Sequence, residues 1–193
     1  MKGWIPVLLC GALCAAAPQA RRVIAPKFSL ADSSGATHTE AEWSKSSGVV
    51  LYFITTDCPI SNGYVPEMNR IAQDYQARGV RFYGVIADTD TPLEEVRKHV
   101  RDFSYTFPVL IDPHQALIRL TNADVTPETA LLSARGELKY LGRIDNQVES
   151  LGTHRPQATQ HELRQALDET LTGKRVTKAS APAVGCAINL VSR

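Results

Sequence analysis

Residues 49–60 read Val49-Val50-Leu51-Tyr52-Phe53-Ile54-Thr55-Thr56-Asp57-Cys58-Pro59-Ile60. The first six are uninterrupted strand-forming apolar residues, the pattern of a strand covered on both faces, as in a parallel sheet. The run stops at Thr55-Thr56-Asp57, and a cysteine and a proline follow. Downstream, Val65, Met68, Ala72 and Tyr75 recur at spacings of three and four, predicting a helix that ends near Arg78-Gly79. Proline suits a first helical position because the N–H it lacks would have no partner there. The preferred reading is a kinked helix from Pro59, with Pro66 inside it; a helix starting only at Pro66 would leave Cys58 outside the helix dipole.

Working outward, 80–87 is the next strand. Thr91-Pro92-Leu93-Glu94 reads as a capping box opening a helix with the stripe Leu93, Val96, Val100 and Phe103. A short strand over 107–111 and a short helix over 114–120 follow. Strands over 129–133 and 138–144 flank the loop Ala134-Arg135-Gly136-Glu137. Thr159-Gln160-His161-Glu162 reads as a second capping box, for a last helix with the stripe Leu163, Ala166, Leu167 and Leu171 that Gly173 ends. Upstream, 27–32 and 36–43 flank Ser33-Ser34-Gly35 as an N-terminal hairpin. The order hairpin, β-α-β-α-β, hairpin, helix requires parallel strands with right-handed crossovers plus a closing antiparallel pair. The fold class is therefore α/β: a central mixed β-sheet with helices on both faces.

The 193 residues carry a net charge of +1 with 21% charged and 44% hydrophobic residues, a globular composition without a basic run, so nucleic acid is not an expected partner. Lys2, the uncharged apolar stretch 4–17 and the small residues Ala15, Ala16 and Ala17 read as a signal peptide over 1–20, cut after Ala16 or Ala20. The stretch is short for a membrane span, and Leu9 and Leu13 before Cys10 and Cys14 argue against a lipid attachment, so no stable membrane anchor is expected. The expected domain covers 25–173 and the tail 174–193. In the tail, 173–182 reads as a linker, and 183–191 is apolar enough to dock on the body. The location is periplasmic or secreted. Cleavage leaves two cysteines, Cys58 and Cys186, which in an oxidising compartment form a static disulfide or stay reactive.

Cys58 falls at the end of a buried strand where a helix begins. There, unpaired N–H groups and the helix dipole favour a thiolate, the nucleophilic form, while the neighbouring Asp57 opposes it. The sulfur is expected at the sheet edge, within reach of oxidants or partner chains.

The strand into Thr55-Thr56-Asp57-Cys58-Pro59, the segment Val125-Thr126-Pro127 and Gly142-Arg143-Ile144-Asp145 together resemble the thioredoxin-like redoxins, the group that includes the alkyl hydroperoxide reductase/thiol-specific antioxidant (AhpC/TSA) proteins. The resemblance runs from about Pro26 to Thr172 and is greatest to an exported bacterial subgroup with Gly-Cys near the C-terminus, here Gly185-Cys186. It implies a thioredoxin-like fold and thiol oxidoreductase activity with Cys58 as the nucleophile. It also implies a cis peptide before Pro127, leaving main-chain groups free to pair with a substrate's extended chain; the plainer reading of Pro127 is a strand-initiating proline. Ser61 stands where a dithiol thioredoxin has its second cysteine, so Cys186 is the remaining candidate to resolve an adduct on Cys58.

Thr55, three residues before Cys58, matches the peroxiredoxins, whereas Leu51 replaces their proline and Val125-Thr126-Pro127 lies near the place of their activating arginine. Arg143 is a candidate substitute or a surface strand residue. The readings are thus an exported thiol oxidoreductase acting on a protein disulfide and reset by an exported thiol reductant, a thiol peroxidase acting on peroxide, or a non-enzymatic module. The last would bind a partner protein or copper(I), through Cys58, Cys186 and a loop histidine such as His154. His99 and His161 are expected on solvated helix faces. No cofactor is expected.

Overall fold

A computed structural model describes residues 27–191; the signal peptide expected over 1–20 lies outside the described residues. The elements in chain order are β1 (Ser29–Ala31), β2 (Thr37–Thr39), a 3-10 turn (Glu40–Lys45), β3 (Gly48–Ile54), α1 (Pro59–Gln76), β4 (Val80–Ile86), α2 (Leu93–Asp102), β5 (Val109–Ile111), α3 (Ala116–Thr121), β6 (Val125–Thr126), β7 (Glu128–Leu132), β8 (Leu138–Gly142), β9 (Val148–Ser150), β10 (Thr153–His154), α4 (Glu162–Leu171), β11 (Ser180–Ala181) and β12 (Cys186–Ala187).

The main sheet has the order β11-β8-β7-β3-β4-β5. β3 and β4 pair in parallel, as do β4 and β5, while β7 is antiparallel to both β3 and β8. The central β3 is buried along its whole length, and its alternate side chains feed two separate cores, because successive residues of a strand face opposite sides. Val50, Tyr52 and Ile54 pack with Met68, Ile71 and Tyr75 of α1 and with Leu163 and Leu167 of α4. Val49, Leu51 and Phe53 pack with Trp43 beneath the N-terminal hairpin and with Leu117 and Ile118 of α3. The expected mixed sheet, with helices on both faces and a hairpin at the start, is what forms.

Three local expectations change. The Thr91 hydroxyl donates to Asp88 Oδ2 at 2.9 Å instead of capping α2, whose N-cap is Pro92. Thr159 accepts from Asn146 Nδ2 at 2.9 Å, and α4 starts behind His161 without a side-chain cap. His99 is buried at 5% exposure, its ring packed against Phe103 and Tyr105 and its Nε2 3.2 Å from the Tyr105 hydroxyl, whereas Leu93 and Phe103 at the ends of the stripe are exposed. His161 is exposed, as expected.

The segment beyond α4 is woven into the body. β11 adds a sixth strand, parallel to β8, where a linker was expected. It lies so close that a Cβ on Gly142 would meet the Ala181 carbonyl oxygen at 2.1 Å, so only a glycine permits the approach. From there the chain crosses to the C-terminal end of the central strands and pairs again as β12.

Candidate functional site

The site forms where β3 ends. α1 begins at Pro59 and continues through Pro66, which makes Cys58 its N-cap residue, with extended backbone at φ −77°, ψ 110°. The Ser61 N–H, one of the first-turn donors without an intrahelical partner, points at Cys58 Sγ from 3.5 Å. Ser61 itself is fully buried, with no hydrogen-bond partner for its hydroxyl among the described residues. On the other side stands the turn between β6 and β7. The Thr126–Pro127 peptide is cis, and the Thr126 carbonyl accepts from the Cys58 thiol at 3.1 Å.

The strand edge beside Pro127 is occupied. β12 pairs antiparallel with β6, Cys186 opposite Thr126 and Ala187 opposite Val125, and the Ile188 N–H donates to the Asp124 carbonyl at 2.8 Å. The expectation of a free main-chain edge is therefore corrected: the chain's own C-terminal segment lies on it. The pairing delivers Cys186 Sγ to within 2.7 Å of Cys58 Sγ, both cysteines being free. It also corrects the expected exposure of Cys58, which is fully buried, while Cys186 is half-buried and forms the outer member of the pair. Beside it lies a cavity of about 150 Å³ bordered by Thr55, Asp57, Asp88 and Cys186. The Thr55 hydroxyl has no hydrogen-bond partner among the described residues.

The two sulfurs are shifted in opposite directions. Burial by itself would push the Cys58 thiol up; hydrogen bonds from the Cys186 thiol and the Ser61 N–H outweigh it and hold Cys58 below its ordinary value. Cys186 moves the opposite way, to about 11, through its hydrogen bond to Cys58, burial, and the negative charges of Cys58 and Asp57. Of the two, the inner sulfur is therefore the more readily ionised.

The other candidates separate from this centre. Arg143 Nε donates to Glu162 Oε1 at 2.9 Å, and its Nη2 donates to Gln160 Oε1 at 3.0 Å, which anchors the end of β8 to the start of α4. Asp145 accepts the Tyr64 hydroxyl at 2.7 Å, joining the Gly142–Asp145 segment to α1. His154 is exposed on β10, and no group of three or more His, Cys, Asp or Glu residues among the described residues is placed to hold a metal.

Two residues escaped the sequence reading. Glu128, directly after Pro127, is buried in β7; burial pushes its carboxyl up to about 7 even though it accepts the Asp124 N–H at 3.0 Å. A carboxylate between Pro127 and the strand-forming run 129–132 was the available signal. Gln115 is wholly buried and contacts the C-terminal segment; nothing in its sequence neighbourhood announces that.

The family model for the AhpC/TSA family matches residues 22–141. The thiol-disulfide oxidoreductase ResA of Geobacillus kaustophilus is 31% identical over 117 residues, which cover 61% of this chain and 66% of that protein. ResA of Geobacillus thermodenitrificans is 30% identical over the same length and shares. The chain thus spans just under two thirds of these curated relatives. Among solved structures, a hypothetical protein of Sinorhizobium meliloti 1021 superposes with a TM-score of 0.73 at 28% identity, over 89% of this chain and 95% of that one. A secreted Mycobacterium tuberculosis disulfide oxidoreductase has the same fold, with a TM-score of 0.53 at 20% identity over 76% and 95% of the two chains.

Proposed function

Because the chain belongs to the AhpC/TSA family, we propose that it is an exported thiol–disulfide oxidoreductase of the redoxin type, with Cys58 as the nucleophile and Cys186 as the resolving thiol. The supporting observation is the placement of two free sulfurs 2.7 Å apart, one at a helix start and one on a strand laid beside Pro127. The curated relatives that match it are themselves thiol-disulfide oxidoreductases.

The segment carrying Cys186 lifts to open the buried Cys58, whose thiolate attacks one sulfur of a substrate protein disulfide, forming a mixed disulfide and releasing the other sulfur as a thiolate that takes a proton from solvent. Cys186 then loses its proton and attacks the Cys58 sulfur. The second substrate thiol leaves, and a Cys58–Cys186 disulfide remains. The substrate has gained two electrons and the protein has lost two; an exported dithiol reductant returns them. Thr126 and Pro127 frame the sulfur pair, and Thr55 borders the cavity beside it. A disulfide is favoured over a peroxide as the oxidant because Arg143, the cation available to activate a peroxide, is engaged by Glu162. The site of action is the periplasm or the exterior, following the signal segment read in 1–20.

The test is native-state alkylation with mass mapping after one equivalent of a small aromatic disulfide. A Cys58–Cys186 bridge should form and reverse with dithiothreitol without unfolding. Cys186→Ser should accumulate a stable adduct on Cys58. A bridge that resists dithiothreitol until the protein unfolds would make the pair a static crosslink and refute the proposal.

A further inference from the structure

We infer that Gln115 and Gly185 are the positioning residues that deliver Cys186 to Cys58, an inference that rests on the resolving role of Cys186.

Gln115 precedes α3 in the left-handed region, φ 51° and ψ 36°, where few non-glycine residues sit. Asp112 builds that turn: its carbonyl accepts the Gln115 N–H at 3.0 Å, and its buried carboxylate accepts the N–H groups of Ala116 and Leu117 at 2.9 and 2.8 Å. The Gln115 side chain is completely buried and uses both ends of its amide on main chain. Nε2 donates to the carbonyl of Ala87, at 2.9 Å, and to that of Asn189, at 2.8 Å, while Oε1 accepts the Val191 N–H at 2.9 Å. Ala87 is tied to the end of β3 by its N–H to the Ile54 carbonyl, at 2.9 Å. The amide therefore fastens the C-terminal segment to the sheet edge where the strand leading to Cys58 ends. It does so three residues past Cys186, about 10 Å along an extended chain. Arg119 adds a hydrogen bond to the Val191 carbonyl.

Gly185 acts at the other side of the sulfur. A Cβ there would meet the Thr126 carbonyl oxygen at 2.0 Å and its carbon at 2.6 Å, both backbone atoms held by the Pro127 turn. Any side chain lifts the strand and takes Cys186 with it. Gln115 thus holds the segment down beyond the cysteine, and the bare glycine lets it settle before the cysteine.

Positioning of this kind raises the effective concentration of one thiol toward the other. The readout is the equilibrium between the reduced protein with oxidised glutathione and the Cys58–Cys186 disulfide with two reduced glutathiones, measured in the full mature chain. Gln115→Asn suits the left-handed backbone but shortens the side chain by one methylene, so it cannot span Ala87 and the segment together. We expect the equilibrium constant to fall about tenfold, with the melting temperature of the fully reduced protein within a few degrees of wild type. Val191→Pro removes the N–H that Oε1 accepts, on an exposed residue, and should lower the constant about threefold; it keeps the test open if Gln115→Asn does not fold. Gly185→Ala should lower it at least tenfold. Adding Gln115→Asn to Gly185→Ala should then have little further effect, because the segment is already lifted. Constants within twofold of wild type for both Gln115→Asn and Val191→Pro overturn the role of Gln115, and the same result for Gly185→Ala overturns that of Gly185. If wild type itself forms no reversible bridge, the resolving role of Cys186 fails instead.

Discussion

Oxidation of the Cys58–Cys186 pair should raise the stability of the whole protein by an amount that the sequence separation sets. The two residues are 128 positions apart, so the bridge closes a loop that takes in most of the described chain. The loss of chain entropy in the unfolded state for a loop of that size corresponds to ~5 kcal/mol, and measured bridges commonly deliver ~2–4 kcal/mol. For a chain of this length each kcal/mol moves the melting temperature by about 2–4 °C, so the oxidised protein should melt roughly 5–15 °C above the reduced one. The assay is thermal unfolding followed by circular dichroism, with the redox state of each sample verified by mass. Cys186→Ser should melt at the same temperature with and without dithiothreitol, near the reduced wild type. Melting temperatures within about 2 °C of each other for fully bridged and fully reduced wild type would refute the reasoning, because the crosslink would then be offset by distortion of the native site.

Three further outcomes follow from buried groups and close approaches. Glu128 is pushed up to about 7 from an ordinary 4.5, so the unfolded chain ionises first and stability falls as pH rises from about 4.5 to 7. Glu128→Gln in the oxidised protein should therefore gain about 1–2 kcal/mol over wild type at pH 8, after solvent screening is allowed for, and nothing at pH 4, as read from urea midpoints. A pH-independent gain would exclude this titration. His99 is held below its ordinary 6.5 by burial, so the unfolded chain binds the proton first and its contribution to stability is lost as pH falls through 6.5. The urea midpoint of His99→Gln should therefore rise relative to that of wild type as pH falls from 7 to 5, and a difference between the two that stays constant with pH would place the acid sensitivity elsewhere. Gly142→Ala drives a methyl into the Ala181 backbone and should cost about 2–3 kcal/mol by urea unfolding, with β11 displaced; a loss below about 0.5 kcal/mol would mean that the two strands separate freely.

What residues 49–60 determined by themselves was local: a doubly covered strand, a stop, and a helix starting at a proline behind a cysteine. Hydrophobic period and turn chemistry act over a few residues, so the strand and helix order, and with it the mixed sheet, could be read directly. Cys58 as the nucleophile candidate followed from that order. Competition between local and distant partners decided the rest. The Thr91 and Thr159 motifs are good local caps, but Asp88 and Asn146 took their hydroxyls. His99 looked solvated on its own helix and was buried by aromatic rings, one of them from the loop beyond it. That 183–191 would dock was legible from its apolarity. Its landing place was not, because docking depends on a strand register, a bare Gly185 against the Thr126 carbonyl, and a buried amide from Gln115, a residue 71 positions before Cys186. Such contacts are made between segments distant in the chain, and no period within either segment encodes them. The sulfur pair is a product of tertiary structure, built on a strand and helix that the sequence already announces.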